Sequence, residues 1–121
     1  MKRVAPHTIK YIKFLKANDI LRQSIDFTSI DFIEEKLLQN IIIYWYSGSP
    51  ITVSETLEAV KEISNSTLHR RLKNLRKTGM IFHVADEIDN RIKYVHPTER
   101  CIEYFNQISN ISSSFMRASV N

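Results

Sequence analysis

Residues Ser64–Gly79 read SNSTLHRRLKNLRKTG, and this stretch decides the fold. Leu68, Leu72 and Leu75 recur at the three- and four-residue intervals that bring side chains onto one face of an α-helix. The positions between them are polar, so the spacing predicts an amphipathic helix with one buried stripe. The run Ser64-Asn65-Ser66-Thr67 supplies a turn and a cap, because its short side-chain oxygens can accept from first-turn backbone N–H groups. Gly79 supplies the stop, since it enters the left-handed conformation that ends many helices.

Upstream, Thr52 and Glu55 fit a capping box, and the stripe Val53, Leu57, Val60 and Ile63 predicts a helix of about three turns ending near Ser64. The two segments together read as helix, tight turn, helix. Downstream, residues 80–84 and 91–95 are rich in β-branched and aromatic side chains, with a polar tip over residues 85–90, which predicts a hairpin. Pro97 and Thr98 then open a last helix through Cys101, Ile102, Phe105 and Ile108.

At the other end, Ile9, Ile12, Leu15, Ile20 and Leu21 predict one helix over residues 8–23, with a break near Asn18 as the alternative. Thr28 or Ser29 is expected to cap the next helix, whose first turns hold Asp31, Glu34 and Glu35 where the helix dipole favours acids. Its stripe Ile30, Ile33, Leu37, Ile41 and Tyr44, widened by Leu38, Ile42 and Trp45, predicts burial on most sides near its end, before Gly48 and Pro50 stop it. The expected class is mainly α with a small β-hairpin: a winged helix-turn-helix flanked by N- and C-terminal dimerisation helices. The expected organisation is a single winged-helix domain, 1–121, with an N-terminal dimerisation helix over 1–27, a core over 28–97, and a C-terminal helix and tail over 98–121. That last helix is expected to be brief, with residues 112–121 loosely held.

At 121 residues the chain can bury a core without disulfides, which its single cysteine could not form internally. No apolar run approaches bilayer length and the basic start lacks a secretory signal, so a cytoplasmic protein without membrane contact is expected. The net charge of +4 is unevenly placed. Residues 1–25 and 61–100 are basic, and residues 26–60 are acidic.

The 64–79 helix carries that asymmetry furthest. Ser66, Thr67, Arg70, Lys73, Asn74 and Lys77 project away from the leucine stripe, and Arg71 and Arg76 add charge with no acid in the segment. Like charges so close destabilise a helix, and a phosphate backbone would relieve them. Arginine can pair with guanine edges, asparagine with adenine, and Ser or Thr with phosphates, so the face combines positioning with base reading. A solvated charged face is the plain alternative. The preceding turn-linked helix and a following hairpin with Arg91 and Lys93 favour double-stranded DNA, with the basic helix in the major groove and Arg91 near the minor groove.

Ser66-Thr67-Leu68-His69-Arg70-Arg71-Leu72, Leu75, Gly79-Met80-Ile81 and the run Asp89-Asn90-Arg91 through Thr98 make the sequence resemble the MarR group of bacterial winged-helix regulators. The Asp89, Arg91 and Thr98 spacing matches that group's wing signature. The resemblance covers about residues 29–105 and implies a homodimer built from outer helices, a recognition helix at residues 66–78, and a wing whose Arg91 contacts DNA while Asp89 orients it. The chain departs from the group in its short length, in Pro97 before the threonine, and in the brevity expected of its last helix.

Ile9, Ile12 and Leu15, with Ile102 and Phe105, are the candidate dimer surface. Tyr44, Trp45 and Tyr46 read as core and interface packing, with the lining of a small-molecule cavity near the dimer interface as the lesser alternative. Cys101 sits on an apolar helix face and reads as a small core residue, with a redox-sensing thiol as the alternative. The four histidines show no metal-ligand spacing, so neither a metal nor a cofactor is expected. No phosphate loop, nucleophile elbow or paired carboxylates suggest an enzyme. The expected function is therefore a DNA-binding transcription regulator. The alternatives are a winged-helix module that docks a protein partner, and a replication- or phage-related DNA-binding factor.

Overall fold

The computed structural model describes residues 3–24 and 30–120. The chain divides into two compact units, residues 30–102 and residues 1–29 with 103–121. The sequence boundaries expected for the winged core were 28 and 97.

In the first unit, α2 (Phe32–Tyr46), α3 (Val53–Glu58) and α4 (Asn65–Lys77) precede the strands β1 (Ile81–Ala85) and β2 (Lys93–Pro97), and α5 (Glu99–Val120) starts here. β1 and β2 pair antiparallel, Ile81 opposite Pro97 and Ala85 opposite Lys93. Ile51 and Thr52 add a short third edge, through a bridge from Thr52 to Tyr94 and a 2.9 Å bond from the Val95 N–H to the Ile51 carbonyl. The core gathers Leu37, Leu38 and Ile41 of α2, Leu57 of α3, the α4 leucines 68, 72 and 75, and Met80, Ile81 and Val95 of the hairpin. Full burial of a leucine is worth about 1.5–3 kcal/mol, so the α4 stripe holds that helix to the core firmly while its polar face stays outside.

Local chemistry sets the helix ends. Thr52 and Glu55 form the expected capping box on α3. Ser64 caps α4, its hydroxyl accepting from the Thr67 N–H. The α4 end is a Schellman turn: Gly79 has φ +80°, the Met80 N–H reaches the Leu75 carbonyl at 2.9 Å, and the Gly79 N–H reaches Arg76 at 3.1 Å. Met80, next in the chain, is buried and seals it. Gly48 ends α2 the same way, with φ +84°.

Several expectations need correction. The α2 cap is Asp31, which forms its own capping box with Glu34, while Thr28 and Ser29 lie outside the described residues. The end of α2 is not buried on most sides: Ile43 is 59%, Tyr44 46% and Tyr46 85% exposed. α3 is six residues long, not three turns. Val60 is buried beyond its end, so the apolar spacing marked burial rather than continued helix. β2 begins at Lys93, two residues later than expected, which places Arg91 in the hairpin loop.

The second unit holds α1 (Pro6–Ser24) and residues 103–120 of α5. α1 passes Asn18 without interruption, and α5 is not brief but runs 22 residues, helical through the segment expected to be loose. Tyr104 is buried, packs edge-on against Phe105, and its hydroxyl accepts from Arg22 at 3.5 Å. Ile9, Ile12 and Leu15 are all more than 40% exposed.

Candidate nucleic-acid interface

α4 presents Ser66, Arg70, Lys73, Arg76 and Lys77 as exposed side chains, with His69 beside them. Thr67 is half-buried, its hydroxyl accepting from Ser64 at 2.9 Å. Two residues expected on this face are held by α2 instead. The Asn74 amide donates to Glu34 Oε2 at 2.7 Å, and Glu34 is 1% exposed, so this is a buried interhelical bond. The Arg71 guanidinium forms an ion pair with Asp31 and comes within 4.0 Å of Glu34. Both acids belong to the α2 capping box, which therefore fixes the angle of α4 as well as starting α2. In this conformation the polar ends of Asn74 and Arg71 serve that joint rather than the outer face.

The hairpin loop is organised by two aspartates. Asp86 Oδ2 accepts from the N–H groups of Ile88 (3.1 Å) and Asp89 (3.0 Å), and Oδ1 accepts from the Tyr94 hydroxyl (3.0 Å). The backbone donors of Asp89 and Ile88, then Tyr94, hold the Asp86 carboxyl below its usual range. Asp89 receives the Arg91 guanidinium through two bonds of 3.0 Å and the Arg91 N–H at 3.1 Å. The bonds from the Arg91 side chain and N–H lower the Asp89 pKa, and the carboxylate raises that of Arg91. Arg91 remains 87% exposed, so the fork fixes its direction without covering it. Thr98, the third residue of the wing spacing, closes the hairpin base: its hydroxyl donates to the Gly79 carbonyl and accepts from the Cys101 N–H at 3.2 Å.

Two open clefts meet where α4 approaches the hairpin. One, of about 470 Å³, is lined by His69, Arg70, Lys73, Arg76 and His83 together with apolar side chains. The other, of about 480 Å³, runs between the start of α3 and the loop and includes His83, Arg91 and Lys93. His83 borders both, and no acid lines either among the described residues. Arg76 and His83 were not among the expected contacts. The one available signal was that His83 shares its strand face with buried Ile81 and so points toward α4.

Comparison with solved structures places this geometry. The transcriptional regulator Tm0710 from Thermotoga maritima is 19% identical, with a TM-score of 0.69 over 93% of this chain and 75% of that one. MepR of S. aureus bound to ethidium bromide is 15% identical, with a TM-score of 0.72 over 97% and 81%. A MepR variant bound to an oligodeoxyribonucleotide is 16% identical, with a TM-score of 0.71 over 98% and 83%. The chain has the MarR-like winged-helix fold. No family model and no curated relative matches the sequence. Within this fold the α3–α4 pair is the helix-turn-helix and the β1–β2 hairpin is the wing. Cys101, at the start of α5, is buried and its thiol is pushed up to about 12 by desolvation, which keeps it protonated and favours the core reading over a redox sensor. Among the described residues, no helix is long and apolar enough to cross a membrane.

Proposed function

We propose that this chain is a cytoplasmic homodimeric transcription regulator that binds double-stranded DNA in a sequence-specific way. α4 occupies the major groove and Arg91 approaches the adjacent minor groove. The observation that carries this reading is the exposed cationic face of α4 beside a wing arginine already oriented by Asp89. Arg70 is assigned to base reading, and Ser66, Thr67, Lys73, Lys77 and Lys93 to the backbone, with Arg71 and Asn74 supporting α4 from behind. The oligodeoxyribonucleotide bound to the MepR variant supports the same use of the fold here. The exposed Ile9, Ile12 and Leu15 of α1 support a second copy as the cover of that helix.

A duplex of arbitrary sequence, titrated at 50 and 200 mM salt, tests the electrostatic part. Six or more phosphate contacts per dimer give a loss of affinity of about 10³-fold or more over that range. Absent binding, or binding indifferent to salt, contradicts the proposal. A second reading, docking of a protein partner, is favoured by the exposed Ile43, Tyr44 and Tyr46 at the end of α2.

A further inference from the structure

We propose that His83, at the junction of the two clefts, seats a DNA backbone phosphate and takes up a proton when the duplex binds, so that acidification tightens binding. This inference rests on the DNA-binding reading above and adds to it a site and a regulation.

The placement is unusual for an imidazole. His83 lies on β1 opposite Val95, and its Nε2 is buried with no hydrogen-bond partner among the described residues. A buried ring nitrogen left unsatisfied costs stability, and such an atom calls for an explanation in what the site later holds. The charged and titratable groups around it are of one sign. α4 contributes His69, Arg70, Lys73 and Arg76, and the hairpin contributes Arg91 and Lys93. The start of α3 contributes Thr52, Val53 and Ser54, all neutral, and the carboxylate of Glu55 is engaged on the Thr52 N–H. The groove therefore suits an anion small enough to enter an open cleft and rich in acceptor oxygens. A phosphodiester crossing from the major groove to the wing meets that description.

The protonation argument follows from the same neighbours. Desolvation, then Arg76, then Lys93, hold the His83 pKa below its ordinary 6.5, so the ring is neutral near pH 7 in the free protein. A phosphate in the cleft beside the ring reverses the balance, because its negative charge favours the imidazolium. The bound pKa rises, and between the free and bound values each complex gains up to one proton per His83. By linkage, affinity then increases as pH falls, by up to about tenfold per pH unit for each proton taken up.

The test uses the full-length chain and a 30-base-pair duplex of arbitrary sequence at fixed ionic strength, titrated from pH 8 to pH 5.5. Wild type is expected to bind more tightly at the acid end. His83→Gln is expected to flatten the profile at the affinity wild type shows near pH 8, and His83→Lys to flatten it at a tighter level. A profile that keeps its full slope in His83→Gln overturns the proposal. Should either variant fail to fold, NMR titration of the wild-type imidazoles decides: the His83 pKa must lie below 6.5 in the free protein and rise with duplex present. A His83 pKa that duplex leaves unmoved overturns the inference while leaving salt-dependent DNA binding standing. Absence of binding at every pH overturns both.

Discussion

Asn74 shows how one side chain changes role between sequence and structure. A wheel drawn for α4 alone puts it on the outer face with Arg70 and Lys73, and nothing local reveals that Glu34, forty residues away, waits behind it. Leu68, Leu72 and Leu75 were legible because burial imposes a period, whereas an interhelical hydrogen bond imposes none. The two roles separate by mutation. Asn74→Ala is expected to destabilise the fold by about 1–3 kcal/mol in urea unfolding, because Glu34 Oε2 loses its buried donor, while duplex affinity of the folded protein stays near wild type. Arg70→Ala should do the reverse, leaving stability within about 0.5 kcal/mol and costing about 1–3 kcal/mol in binding to a preferred site. Equal binding losses from both would return Asn74 to the interface and contradict the assignment.

At the scale of elements, much of what local chemistry decides was readable, the Asp31–Glu34 capping box excepted. The α3 capping box and the Gly79 stop depend on residues within one turn of each other, and both stand where the spacing put them. The end of α3 and the start of β2 depend on packing, and both moved. Gly79 also gives a clean test of the turn: a Cβ there meets nothing within 4 Å, so only the φ of +80° resists a side chain. Gly79→Ala is expected to cost about 1 kcal/mol in thermal or urea unfolding, with Gly79→Asn costing less. A loss several times larger would mean that packing, not backbone conformation, selects the glycine.

The loop geometry predicts that the wing responds to acid. Asp86 has its folded pKa lowered, so its contribution is present above the ordinary carboxylate pKa and is lost as pH falls through the lowered folded value. Amide exchange in residues 86–92 should therefore accelerate relative to the α4 core on acidification through that range, and Asp86→Asn should reduce the pH dependence to the part that Asp89, whose carboxyl is also lowered, contributes. Exchange that rises in parallel across the wing and α4 would contradict a local switch. The aspartate was read from sequence only as part of a polar tip. Its carboxylate's three bonds depend on the chain folding back on itself.

On the scale of the whole molecule, order of elements carried the fold: helix, turn, basic helix, hairpin is sufficient to specify a winged helix-turn-helix, and the solved structures share it at 15–19% identity. Long-range partners were not readable in the same way, which is why the acidic stretch around Asp31 and Glu34 passed for dipole compensation when it also anchors α4. The cationic face that remains exposed is the part of the molecule the functional proposal depends on. Amide chemical-shift mapping of the labelled protein during titration with a short duplex tests it most directly. The expected result is perturbation concentrated in residues 64–77, His83 and 86–93, with Tyr44 to Tyr46 unchanged. Shifts confined to the end of α2, or a duplex that moves no residue of α4, would contradict it.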